Sequence, residues 1–245
     1  MIGLLRSELL KQRSTQTTLF LLLAMVGLVG LASALHVVAP SASSLASLKH
    51  QLQVFEVGTR VGMLFAGLAG ALAITAETRY GTIRATFLVT PRRGPVIAAK
   101  LAVSALAGIV FGLFAEALMA GATTVALSAR GIDIRLTSGD YLQLLAGGTA
   151  AAALWATIGL GVGALVRNQV ATLVGLCAWM LLVENLLLPF VPDAGRFTPG
   201  AAGLALAGSI AEKLLSPTPA AFALVLYAAA ASVGGWLATL RRDVA

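Results

Sequence analysis

The chain has 245 residues, 58% of them hydrophobic and 11% charged, with a formal net charge of +7. Soluble domains carry about 25% charged residues, so this composition and a mean hydropathy of +0.92 exclude a soluble globular protein and indicate a single-domain, all-α integral membrane protein. The basic residues flank apolar runs instead of striping a soluble face, which points to membrane lipid, not nucleic acid, as the partner of that charge.

Residues 1–17 carry Arg6, Lys11 and Arg13. Ile2, Leu5 and Leu9 share one helical face that Arg6 flanks, so this segment reads either as an interfacial helix or as a frayed tail. The apolar run that follows, about 18–38, is long enough to be a retained first span and not a cleaved signal. Pro40 and the serine-rich SASSLASLK open a polar connection. The second span, about 57–76, is short: only 61–76 is uncharged, roughly 24 Å against a hydrocarbon core of about 30 Å. Arg60 therefore has to snorkel or find a partner.

Residues 77–97, ETRYGTIRATFLVTPRRGPVI, then gather charge between two hydrophobic runs. Each Arg or Lys at the bilayer centre costs about 2.5–3.5 kcal/mol or more, so this is a loop in water, and the positive-inside rule makes that water cytoplasmic. Arg79 and Arg84 offer charge-assisted contacts to carboxylates of a soluble partner, and Gly81 permits a close backbone approach. The plainer alternative is a basic loop that only anchors topology on lipid phosphates.

The third span, about 98–128, is interrupted once, by Glu116. After ARGIDIRLTSGD comes a fourth span, about 142–166, with Gly159 and Gly163 in a small-xxx-small pattern suited to close helix packing. Arg167 and Asn168 turn the chain into a fifth span, about 169–189, which contains Glu184 and Cys177, the one cysteine, read here as packing. The apolar part of 198–215 is too short to cross and reads as a re-entrant or interfacial helix. A sixth span, about 219–240, stops at Arg241 and Arg242. With both termini inside, 11 of the 17 Lys and Arg residues fall on the cytoplasmic side, which an odd number of spans would not achieve.

Counted from the inner edge, Arg60, Glu116 and Glu184 all lie roughly 24–26 Å up, near the outer boundary of the core. They are either edge charges reaching outer headgroups or a polar layer lining an outer gate, with Arg60 paired to Glu116 across adjacent helices. None of the four lysines precedes Ser or Thr, so there is no phosphate-cradling P-loop, and no H-E-x-x-H, G-x-S-x-G or Cys/His ligand cluster is present. No catalytic or metal-ligating set is assigned.

RSELLKQRST near the start, the loop ETRYGTIRATFLVTPRRGPVIAAK, six spans and a short apolar segment before the last one together resemble an ABC-2-type permease, the membrane subunit of an ATP-binding-cassette exporter. The resemblance implies that the loop between spans two and three is a coupling helix docking on a separate ATP-binding subunit. Glu77, Arg79, Gly81, Thr82 and Arg84 would form the docking surface, and Thr90, Pro91, Arg92 and Arg93 the returning turn. It further implies an N-terminal elbow helix, a second permease copy, no cofactor on this chain, ATP and Mg on the partner, and a place in the cell (plasma or inner) membrane. The cargo would be hydrophobic or amphiphilic: a drug, antibiotic, peptide or lipid. Two other readings compete, a non-transporting scaffold or sensor recruiting a partner through the same loop, and an intramembrane enzyme, for which no nucleophile, base or metal set is apparent.

Overall fold

The computed structural model describes residues 2–90, 92–211 and 213–241, apart from the side chains of Arg84 and Arg241. Pro91, Glu212 and Arg242 lie outside it. The helices are α1 (Ile2–Ser14), α2 (Gln16–Val38), α3 (Ala42–Leu45), α4 (Leu48–Arg79), α5 (Thr82–Val89), α6 (Arg93–Ala129) and α7 (Ser138–Val166), then α8 (Gln169–Ala178), a π-helical turn (Trp179–Val183) and α9 (Glu184–Phe190), and finally α10 (Pro192–Gly195), α11 (Pro199–Leu206) and α12 (Pro217–Arg241). No strand occurs among the described residues. Among the described residues, six helical stretches are long and apolar enough to cross a membrane: Gln16–Val38, Leu48–Arg79, Arg93–Ala129, Ser138–Val166, Gln169–Phe190 and Pro217–Leu240.

α4 is the hub. Of its most apolar stretch 72% is buried, against 17–22% for Gln16–Val38, Gln169–Phe190 and Pro217–Leu240, so α4, α6 and α7 form the centre and the other three helices show apolar flanks outward. The helix is also longer than the expected span of 57–76. It starts at Leu48, where Ser47 caps it by accepting from the His50 N–H, and runs 32 residues. The polar residues at its start are satisfied in place. Gln51 donates to the carbonyls of Leu45 and Asp133 at 2.9 and 2.8 Å and accepts from the Arg135 N–H at 2.8 Å, so its one side chain ties α4 to the 130–137 connection.

Other boundaries shift for similar local reasons. α7 begins at Ser138, four residues before the expected 142, because Thr137 and Asp140 form a reciprocal capping box. The segment 198–215 is not one helix: α11 ends at Leu206, where Gly208 takes φ +85° and the Ser209 N–H bonds back to the Leu204 carbonyl at 3.0 Å, a left-handed helix stop. α11 is nonetheless buried almost throughout, with the Trp155 Nε1–H donating to its Pro199 carbonyl at 3.3 Å.

Contact between α4 and α7 is backbone to backbone. A Cβ at Gly70 would stand 1.9 Å from the Ala156 carbonyl oxygen, and one at Gly159 would stand 2.0 Å from that of Gly67. Such an approach is what small residues allow when no water drives helices together. Gly70→Leu and Gly159→Leu are each expected to lower stability in detergent by about 3 kcal/mol or more through overpacking. Gly121→Ala, whose Cβ would meet nothing within 4 Å, should stay within about 0.5 kcal/mol of the parent. Thermal unfolding of the three variants checks this.

Candidate functional site: the α5 surface and the buried charges around it

α5 connects α4 and α6, the two longest helices. Its inner face is set by Ile83, which is buried in a cluster with Ile74, Ile97, Leu160 and Ala164, while Phe87, one turn later, packs against the same cluster. The turn before α5 needs Gly81, whose φ is +72°; an L-residue pays about 1–2 kcal/mol in that left-handed region. A Cβ there would meet nothing within 4 Å, so within this chain Gly81 serves the turn and not a close approach.

The outward face of α5 combines apolar and basic groups. Leu88 and Val89, at the end of α5, are 82% and 86% exposed, and Tyr80 and Thr82, before and at its start, are exposed as well. Arg79, also exposed, lies over the Tyr80 ring at 5.7 Å and donates to Gln169 Oε1 at 3.4 Å. Arg92 is exposed at the start of α6.

Two residues expected on this surface turn inward. Arg93 stacks over Phe87 at 5.3 Å and donates to the Thr239 carbonyl at 3.1 Å, joining α5 to the end of α12. Glu77 is half-buried, its side chain 13% exposed, because two lysines enclose it. Its Oε1 accepts from Lys100 at 2.7 Å and from Lys11 at 2.9 Å. The same two lysines meet Glu8, Lys11 at 2.8 Å on Oε1 and Lys100 at 2.8 Å on Oε2. Four charges from α1, α4 and α6 thus close a ring in which each carboxylate touches both ammonium groups. Lys100 is only 1% exposed, so cutting it out would leave two acids to share Lys11 alone, a loss on the scale of the about 3–5 kcal/mol that breaking a buried pair costs. Thr90 is half-buried and caps the end of α5 through its N–H to the Thr86 carbonyl, and the Arg84 side chain lies outside the described residues.

At the far end of the bundle lies a second polar layer, without the expected pairing of Arg60 to Glu116. Glu116 and Glu184 are 5% and 8% exposed, which removes both from the role of edge charges reaching headgroups. Glu116 accepts from Thr59 at 2.6 Å, not from Arg60, because the next residue along α4 points about 100° away. The carboxylate sits where Gly148 leaves space, since a Cβ there would stand 2.0 Å from its Oε1. Glu184 accepts from the Trp179 indole at 2.7 Å and the Gly200 N–H at 2.9 Å. Arg60 faces Glu184 across a cavity of about 80 Å³ that Leu28, Met63, Met180 and Asn185 also line. A larger cavity of about 320 Å³ lies between α7, α8 and α12, lined by Trp155, Ile158, Val162, Leu176, Trp179 and Tyr227 with no charged group.

The structure therefore assembles one basic and apolar surface on α5, with a charge ring at its root. A family model described as ABC-2 family transporter protein matches residues 4–183. The chain belongs to this family. No curated protein matches it at a significant level. The match takes in α1, the ring, α5 and the helices through the π turn, so this ABC-2 permease is a multi-pass membrane protein and a transport subunit, of a family that works with an ATP-binding subunit.

Several residues of the ABC-2 permease escaped the sequence reading. Tyr80, Leu88 and Val89 were hidden by the weight given to arginine; the signal was the helical period of Ile83 and Phe87, which leaves Leu88 and Val89 outside. Glu8 and Lys100 gave only spacing within basic stretches. Glu56, which precedes the expected second span, lies inside α4, 4% exposed, against Ser209 and one turn from Arg60. No group of three or more His, Cys, Asp or Glu suited to a metal occurs among the described residues.

Lys11 supplies a pH test of the ring. Burial works against its charge, but the hydrogen bonds to Glu8 and Glu77 and the attraction of both carboxylates outweigh that and hold it above its ordinary value of 10.5. Facing it are Glu8, Glu77 and, across them, Lys100. A base whose folded value is raised stabilises fully below its unfolded value and loses that contribution as pH rises through the folded one. Amide exchange in α1, corrected for its intrinsic rate, is therefore expected to stay level up to about pH 10 and to accelerate beyond it. Loosening already at pH 9 would contradict the arrangement.

Proposed function

We propose that this chain is the membrane-embedded half of an ATP-driven exporter, pairing with a second permease copy to enclose a path for a hydrophobic or amphiphilic cargo. The observation that carries the reading is the outward face of α5, where Tyr80, Leu88 and Val89 stand exposed between Arg79 and Arg92. Monomeric proteins seldom expose such a patch with a polar rim unless it meets a partner. In an isolated loop serving only as a topological anchor, arginines alone would suffice. The ATP-binding subunit docks on this face, with Thr82 completing it and Gly81 and Thr90 holding the ends of the helix. ATP and Mg belong to that partner.

Orientation follows from charge. α1, α5 and the end of α12 share one end of the bundle, through the ring and through Arg93 and Arg167, which donate to the carbonyls of Thr239 and Ala238. By the positive-inside rule this end faces the cytoplasm of a plasma or inner membrane. Arg60, Glu116 and Glu184 then lie towards the outer leaflet, as part of an outer gate. The cargo class is supported by the apolar, aromatic-lined cavity beside Trp155, Trp179 and Tyr227, and the outward flanks of α2, α8 and α12 are open to lipid and to the second copy.

The test uses the chain coexpressed with a candidate ATP-binding subunit, a P-loop ATPase. Leu88→Asp and Val89→Asp together are expected to lower copurification of that ATPase at least tenfold, equivalent to about 1.4 kcal/mol or more of lost docking energy, without changing the melting temperature of the permease alone. Unchanged copurification would refute docking on α5, and ATP hydrolysis by the permease alone would refute the division of labour.

A further inference from the structure

We infer that the ring of Glu8, Lys11, Glu77 and Lys100 makes α1 and the span that follows it a driven part of the transporter, pulled by α5 when the ATP-binding subunit moves. This rests on the reading that α5 receives force. The ring sits at the root of α5 and straddles both of its connections: Glu77 is in the last turn of α4, and Lys100 in the second turn of α6. Two contacts join them to α1, Lys11 to Glu77 at 2.9 Å and Lys100 to Glu8 at 2.8 Å. Lys100 is held further by donating to the Ala73 carbonyl at 3.3 Å.

α1 in turn is joined to α2 through a single residue, Thr15. That junction is bridged on both sides, Thr15 Oγ1 donating to the Lys11 carbonyl at 2.6 Å and Thr18 Oγ1 to that of Gln12 at 3.1 Å. A displacement of α5 that carries Glu77 and Lys100 therefore draws α1 through the ring and α2 through the bridged junction. α2 is free to respond, since only 17% of its span is buried against the rest of the chain. Glu8 and Lys100 act here as positioning residues; neither touches cargo or nucleotide.

The ring's alternation of charge supplies the experiment. E8K/K11E inverts the α1 half and E77K/K100E inverts the α4–α6 half; either alone keeps each half internally paired but sets like charges across the junction, and the four changes together restore opposite charges. Spin labels at Leu10→Cys and Val166→Cys, both exposed positions, in a Cys177→Ser background report the distance between α1 and α7 in the complex with its ATP-binding subunit. Measurement is made without nucleotide and after trapping with ATP and vanadate.

The parent complex is expected to show a shift on the order of 2 Å, the scale of helix displacements in switching proteins. Either half-inversion should abolish the shift while the assembled complex still hydrolyses ATP, and the fourfold inversion should restore it. Glu8→Gln, which opens the ring without a like-charge contact, should reduce the shift if a half-inversion prevents assembly. An undiminished shift in the assembled complexes of these variants overturns the inference. A parent complex that hydrolyses ATP while α1 stays still overturns the ring's role and leaves the permease reading standing. Failure of the parent chain to bind any ATP-binding subunit overturns both.

Discussion

Two polar contacts hold α4 and α6 in one antiparallel register. Glu77 meets Lys100 at one end, and Thr59 meets Glu116 at the other. They are separated by 18 residues along α4 and 16 along α6, roughly 24–27 Å of helix. The Thr59–Glu116 contact does not tolerate a slip of one residue, because in an apolar bundle the displaced carboxylate would have no other donor. Since α5 is only the short connection between these two helices, the register also decides where α5 stands and which of its faces is turned outward.

Close packing completes what the charges specify. The glycines of α4 and α7 bring those helices to backbone contact, and the same habit opens room for Glu116 beside Gly148 and for Glu184 beside Gly200, where a Cβ would stand 1.7 Å from its Oε2. Small residues therefore do two things here: they let apolar helices approach, and they make pockets in which single carboxylates are lodged with their donors. The burial of charge and the burial of backbone are parts of one arrangement.

Much of this was legible before any coordinates. Six apolar runs, the placement of Lys and Arg at one end, and the loop from Glu77 onward state the class of fold, because hydrocarbon leaves few alternatives to a helix bundle. Local chemistry corrected the boundaries: the capping serine at Ser47 and the amide of Gln51 carry α4 well past the point where hydropathy alone would end it. Pairing was the least legible level. Arg60 and Glu116 stand at matching heights, but height along a helix says nothing of azimuth, and it is the neighbouring Thr59 that faces α6. Glu77 looked like an exposed acid in a basic loop, and only the convergence of α1, α4 and α6 shows it enclosed.

The π turn at Trp179–Val183 gives the fifth crossing a different character from its neighbours. One surplus residue in a regular helix would turn everything beyond it by about 100°, a rotation that a π turn takes up locally, and here everything beyond it begins with Glu184. The indole of Trp179, at the opening of the turn, reaches over it to the same carboxylate. Lineages that lost a single codon within this stretch would regain a regular helix with that acid still aimed at the Gly200 amide, whereas a codon lost in the regular helix just before it would swing the acid towards another quarter of the bundle. The wide turn is thus slack in the chain, a place where length can change without changing the aim of one side chain.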